Sequence, residues 1–215
     1  MLRKAARGSA IALLLLGCAN AYAVALDPAT DFAGNQLVNG DNSTNGLLAF
    51  DLDLLNTSSM TVVVQVGASE VSDGSIAYNS LVYNHTALDL VGFDLAVDAP
   101  AAFGTVGTVL DSGGTPISGI TSTATSAAIP FDPPLQHYQP PAAAANIELG
   151  NVGLGDEPPG TMNWEIDVSG LPAGGGTFTM HLAAVPEPAG SDGAALAALI
   201  ALRLHGRRAK PCRLG

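Results

Sequence analysis

The chain has 215 residues, enough for one domain with a hydrophobic core, and carries a formal net charge of −11. Only 13% of residues are charged and 47% are apolar, and all eight Lys and Arg are terminal: Arg3, Lys4 and Arg7 at one end, Arg203, Arg207, Arg208, Lys210 and Arg213 at the other. Nucleic acid, whose phosphates demand Lys and Arg, is thereby excluded as a partner, and so is a basic membrane-binding patch.

Of the nineteen acids, Glu187 and Asp192 fall near the C-terminus; the other seventeen lie between Asp27 and Asp167 with no Lys or Arg among them. A processed domain therefore carries a charge of about −17, which permits divalent cations or cationic partners. Both cysteines, Cys18 and Cys212, are terminal, so residues 26–184 have neither a disulfide nor a thiolate metal site. Low charge with 25 glycines points to an all-β chain.

Residues 1–25 have the three parts of a secretory signal. Arg3, Lys4 and Arg7 form the charged start, residues 10–16 the apolar run, and Ala21-Tyr22-Ala23 the small-residue cleavage site. Ala23-Val24-Ala25 serves equally well. The segment implies a signal helix, export machinery and signal peptidase. A buried N-terminal helix is the alternative, against which the run is short and its flanks are wrong. Leu15-Leu16-Gly17-Cys18 also resembles a lipoprotein box, in which Cys18 is the lipidated anchor.

Strand signals then recur between Gly, Asn, Asp and Pro clusters. The turn Asp41-Asn42-Ser43-Thr44-Asn45-Gly46 resembles the start of a calcium loop, with oxygen ligands at Asp41, Ser43 and Asn45. Its twelfth position is Leu52, not an acid, so it fails as an EF-hand; it is a candidate irregular calcium turn or a plain Asn/Asp/Gly turn. Residues 46–56 alternate, with Phe50, Leu52 and Leu54 inward and Asp51 and Asp53 outward. Residues 60–67, rich in valine, read as a strand buried on both sides, and residues 80–85 as another. Residues 90–98 place Val91, Phe93, Leu95 and Val97 on one face and Asp94 and Asp98 on the other. Shorter candidates are 105–110, 117–123 and 146–152. Residues 130–145 hold five prolines and an alanine run, which predicts a long surface loop. Residues 163–169 turn Trp164, Ile166 and Val168 inward against Glu165 and Asp167, and residues 176–183 turn Phe178, Met180 and Leu182 inward.

About nine strands and no convincing helix in residues 26–184 predict a single antiparallel β-sandwich domain. The signal helix precedes it and a short C-terminal hydrophobic helix follows.

No catalytic constellation is present. Residues 26–184 lack a Gly-x-Ser-x-Gly elbow, and their histidines, His85, His137 and His181, have no metal-ligand spacing. Asp51/Asp53 and Glu165/Asp167 are i, i+2 pairs that each share one strand face. A glycosidase uses two carboxylates across a cleft lined by aromatics. Here Trp164 is expected inside, leaving Tyr78, Tyr83 and Tyr138 as candidate sugar-facing rings. The plainer reading of the acid pairs is a solvated sheet face.

The C-terminus runs Val185-Pro186-Glu187-Pro188, then an apolar stretch at 193–202, then Arg203, Arg207, Arg208 and Lys210. This order resembles the PEP-CTERM sorting signal of Gram-negative bacteria: a Pro-Glu-Pro motif, a hydrophobic helix and a basic cluster. The resemblance covers about the last thirty residues. It implies recognition by an exosortase-type processing enzyme and an association with extracellular polysaccharide and biofilm matrix. Basic residues after an apolar segment stay cytoplasmic, so residues 26–184 face outward, with transient inner-membrane anchoring by the tail. The ten apolar residues at 193–202 fall short of the about twenty a spanning helix needs. The two prolines keep the motif extended.

These readings divide the chain into a signal peptide at 1–25, a β-sandwich at 26–184 and a sorting tail at 185–215. The expected protein is a non-enzymatic exported cell-surface or extracellular-matrix protein, with exopolysaccharide as a candidate partner. A carbohydrate-binding or carbohydrate-processing domain and a lipoprotein anchored through Cys18 are the alternatives.

Overall fold

The structure is a computed structural model that describes residues 24–140, 145–150 and 162–188. The signal run with Cys18, Ala21 and Ala23, and the tail with its apolar stretch, Arg207 and Arg208, lie outside the described residues.

The described chain forms thirteen strands and one short helix, in the order β1 Val24–Leu26, β2 Gln36–Asp41, β3 Leu47–Leu54, β4 Met60–Val66, α1 Ala68–Asp73, β5 Ser75–Asn84, β6 Leu90–Val97, β7 Ala102–Phe103, β8 Val109–Asp111, β9 Thr121–Ser122, β10 Ser126–Leu135, β11 Asn146–Leu149, β12 Trp164–Asp167 and β13 Gly176–Pro186. They make two sheets. One has the order β1-β4-β13-β6-β10-β9, and the other β2-β3-β5-β11-β8, with β12 beside β5 and β7 beside β12. The two inner faces close on one core, as expected for a sandwich.

Period-two patterning is what builds that core. Phe50, Leu52 and Leu54 of β3, Trp164 and Ile166 of β12 with Val168 beyond it, and Phe178, Met180 and Leu182 of β13 are all buried as predicted. Trp164 packs edge-on against Phe103, with ring centroids 5.8 Å apart, and its indole N–H donates to the Thr108 carbonyl at 3.3 Å. A buried tryptophan needs such a partner for its polar tip.

Five expectations are corrected. The sandwich is antiparallel-rich but not wholly antiparallel, because β3 and β5 run parallel, with Leu48 opposite Tyr78 and Asp53 opposite Tyr83. Between them the chain crosses to the other sheet as β4 and returns through α1, the long connection a parallel pair requires. Second, α1 is a helix where none was expected. Gly74 ends it in the left-handed conformation at φ 90°, with its N–H on the Glu70 carbonyl. Third, β4 is not buried on both faces. Met60, Val62, Val64 and Val66 are buried while Val63 and Gln65 are half-buried; its valines reflect central pairing between β1 and β13, not two-sided burial.

Fourth, the proline segment is not all loop. Pro130, Pro133 and Pro134 lie in β10. The two-residue β9 covers β10 only at Ala127 and Ala128, and the pairing to β6 shifts register between Pro130 and Leu135. Free edge and bulge are the two places a sheet accepts proline. Fifth, Leu90 takes the core position expected for Val91, which is half-buried. Both neighbours of β6 shift register at this point, β10 at Pro130/Leu135 and β13 at Val185/Pro186. A bulge switches the side-chain alternation by one residue.

Strands reach past residues 26 and 184 at the two ends. Val24 and Ala25 already pair with Val66 and Gln65, so β1 begins before residue 26. At the other end β13 runs past residue 184: Val185 faces Gly92 and Pro186 faces Leu90.

Candidate functional site

The outer face of the seven-stranded sheet carries the chemistry. Outward positions of β3 hold Asp51 and Asp53, and Asp53 lies opposite Tyr83 of β5. On its other side Tyr83 faces Asn146 of β11. The chain leaves β5 at Asn84, and His85 turns its Nδ1 onto the Asp53 carboxylate. The His85 ring is stacked against Tyr83 at 6.2 Å and meets Tyr138 edge-on at 5.0 Å. Tyr83 is half-buried; Tyr138 is 40% exposed. Three rings thus adjoin in a surface patch with two carboxylates beside them.

The electrostatics of the patch are negative. Burial pushes the Tyr83 phenol above its usual range, and the Asp51 and Asp53 charges push it further. Asp51 is itself raised by partial burial, against the Leu81 backbone N–H that donates to it at 3.0 Å.

A second layer fixes the loops that bring Tyr138 to His85. Asn84 is fully buried. Its amide nitrogen lies 3.1 Å from each of the carbonyl oxygens of Leu88, Leu135 and Gln136, and its amide oxygen accepts from the Thr86 N–H and hydroxyl. One side chain thereby ties the 84–90 turn to the end of β10. Next to it, Asp89 Oδ1 accepts the backbone N–H of His137 at 2.8 Å and its Nδ1–H at 2.5 Å. These contacts hold the Asp89 carboxyl below its ordinary value, the backbone bond first. Gln139 donates to the far nitrogen of His137 at 2.9 Å.

Among the described residues each histidine pairs with an aspartate: His85 with Asp53, His137 with Asp89, and His181 with Asp98 at 3.3 Å. The partners are 32, 48 and 83 residues apart, so sequence spacing holds no signal of them. The role of Asn84 was equally invisible, since an Asn at a strand end reads as a turn residue.

The other candidates separate. Tyr78 and Trp164 are fully buried and face no ligand. Glu165 is lowered by the Ser75 and Thr105 hydroxyls and Asp167 by Ser169. Glu165 lies opposite Ala77 of β5 and Asp53 opposite Tyr83. Those positions are six residues apart, about 20 Å along a strand. That exceeds the roughly 5–9.5 Å over which two carboxylates share one glycosidic bond.

At the candidate calcium turn, one Asp41 oxygen accepts the Leu26 N–H at 2.7 Å and the other the Ser43 N–H at 2.9 Å. The Ser43 hydroxyl and the Ala49 backbone bond each other, and Asn45 is exposed. Among the described residues no group of three or more His, Cys, Asp or Glu is placed to share a metal ion. In the segment expected to be a sorting motif, Val185 and Pro186 end β13 half-buried, and Glu187 and Pro188 are exposed. Of the cleavage residues, Ala25 lies within β1.

Surface cavities among the described residues include two of note. One of about 410 Å³ lies over the outer face of the six-stranded sheet, between Asp94, His181 and Thr121. The other, of about 330 Å³, runs under the proline edge of β10, between Phe131, Gln136 and Ile147.

The fold and site define a two-sheet β-protein with an acidic, aromatic surface patch. No family model, no curated protein and no solved structure matches the chain.

Proposed function

We propose that the protein is a non-enzymatic, exported cell-surface or matrix protein of a Gram-negative bacterium, released from its C-terminal tail by an exosortase-type processing enzyme. The observation that carries the reading is the end of β13. Pairing stops at Pro186, the first proline of the sorting motif, and the next two residues, Glu187 and Pro188, are exposed. A processing enzyme acting beyond them would leave every strand of the sandwich whole. The acid-rich body suits an extracellular setting, where cations screen it.

Mass spectrometry of the termini of the protein recovered from outside a secreting Gram-negative host tests this. The expected product lacks the signal segment and ends between Pro188 and the apolar stretch. A product retaining Met1 or the intact tail to Gly215 would refute it, and a lipidated Cys18 would establish the lipoprotein instead.

One observation favours a second activity for the same exported protein, saccharide binding. Of the three candidate tyrosine rings, Tyr83 and Tyr138 stand together at one surface patch with His85 between them. Flat rings beside hydrogen-bonding side chains suit the apolar face and hydroxyls of a sugar. Binding of neutral oligosaccharides that Tyr138→Ala abolishes is the expected result; retention measured on oligosaccharide columns that is blind to the substitution would set it aside.

A further inference from the structure

We infer that the Tyr83–His85–Tyr138 patch is a subsite for amine-bearing sugars, and that it discriminates against acidic glycans. The inference rests on the saccharide reading and narrows it to a charge class.

Three observations converge on it. First, the rings provide the platform: His85 lies 6.2 Å from Tyr83 and 5.0 Å from Tyr138, which is 40% exposed. Tyrosine faces attract a cation within about 6 Å of the ring through their quadrupole. Second, Asp51 and Asp53 set two negative charges beside Tyr83, against at most one positive charge on His85. Third, no Lys or Arg lies between Arg7 and Arg203, so residues 26–184 supply no guanidinium or ammonium for a uronate or sulfate. The seventeen acids there repel such chains at long range as well.

A protonated glucosamine unit meets all three conditions. Its ring face lies on a tyrosine, its ammonium sits between ring and carboxylate, and its hydroxyls meet polar groups such as the Asn146 amide opposite Tyr83. A uronic acid of the same shape brings its carboxylate against Asp51 and Asp53, where like charges at short range cost affinity.

The test is calorimetric titration of the full chain with four probes: a glucosamine tetrasaccharide, its fully N-acetylated form, a galacturonic acid tetrasaccharide, and spermine. The glucosamine tetramer is expected to bind at least tenfold more tightly than the acetylated one, with no measurable binding of the uronate. Tyr138→Ala and Asp53→Asn should each weaken it about tenfold, while Tyr138→Phe, which keeps the ring, should not. Tyr138 is exposed, so its variants are expected to keep the parent melting temperature. Equal affinity for both tetramers, still lost in Tyr138→Ala, overturns the amine preference and leaves saccharide binding standing. Tetramer binding that is absent or indifferent to Tyr138→Ala overturns both. Spermine binding as tightly as the glucosamine tetramer, with no loss in Tyr138→Ala, reduces the effect to net charge and overturns the subsite.

Discussion

Glu187 donates its backbone N–H to the carbonyl oxygen of Asp89 at 2.8 Å. The same Asp89 holds His137 with its carboxylate. Glu187 of the Pro-Glu-Pro segment is therefore stitched to the turn that carries the aromatic patch. A chain ending at Pro188 is expected to melt within a few degrees of the full chain. One ending at Met180 loses the β13 pairs from His181 to Pro186 and the buried Leu182 and Ala184. Losing a buried leucine costs about 2–5 kcal/mol before the ladder bonds are counted. That chain is expected not to fold, which circular dichroism on the two truncations would show.

At the other end the two cleavage sites expected from the sequence differ in what they would leave of β1. Cleavage after Ala23 leaves Val24 to Leu26 paired with Val66 to Val64. Cleavage after Ala25 removes Val24, which is 4% exposed, a burial loss of roughly 1.5–3 kcal/mol. The mature N-terminus is expected to be Val24, read by mass spectrometry of the exported protein. A mature chain beginning at Leu26 would overturn this.

Strand faces were legible where alternation was strict. The Phe50, Trp164 and Phe178 faces follow from period two alone, because each lies in a strand whose other face meets polar groups. Register changes were not legible. The switch from Val91 to Leu90 arises from bulges in two neighbouring strands, and no local pattern in β6 encodes them. The parallel β3–β5 pair was hidden for a similar reason: strand direction depends on where β4 docks, which side-chain periodicity does not record. The patch was half legible. Tyr83 and Tyr138 were candidates, but His85 joins Asp53 and both rings through contacts that only the fold creates.

Asn84 is the scaffold of that patch, and its removal should be costly. Asn84→Leu keeps the volume but takes away the donor to the Leu88, Leu135 and Gln136 carbonyls and the acceptor for Thr86. Buried groups left without partners cost about 1–3 kcal/mol each, partly relieved by water. A loss on the order of 2–4 kcal/mol is expected in urea unfolding. A variant as stable as the parent would show that Asn84 does not organise the loops.

Asp51 should act in the opposite direction. Partial burial raises its folded carboxyl above the unfolded value. Such a group costs stability above its folded pKa, where it is ionised in both states; the cost fades as pH falls through the folded pKa and is gone below the unfolded value. Asp51→Asn keeps an oxygen for the Leu81 N–H and removes the charge. The variant is expected to melt higher than the parent at pH 7, with the gain shrinking towards pH 3. A lower melting temperature at pH 7 would reverse the assignment.

The charge of the body as a whole predicts a response to ions. Seventeen acids without one Lys or Arg repel each other over a small surface, and among the described residues three of them pair with histidines. Sodium chloride shortens the Debye length to about 10 Å at 0.1 M and is expected to raise the melting temperature between low salt and that point. Calcium at matched ionic strength reads the Asp41 turn separately. Its two carboxylate oxygens already accept the Leu26 and Ser43 N–H groups, each with lone pairs to spare for a cation. If the turn binds calcium, the ion stabilises beyond sodium chloride by linkage, and Asp41→Asn removes the excess. That substitution keeps an acceptor oxygen for one of the two backbone donors, so a loss of calcium response separates from a loss of fold when both chains are melted in chelator. Equal melting temperatures in calcium and in matched sodium chloride would leave Asp41 with its structural role alone, joining β1 of one sheet to β2 of the other.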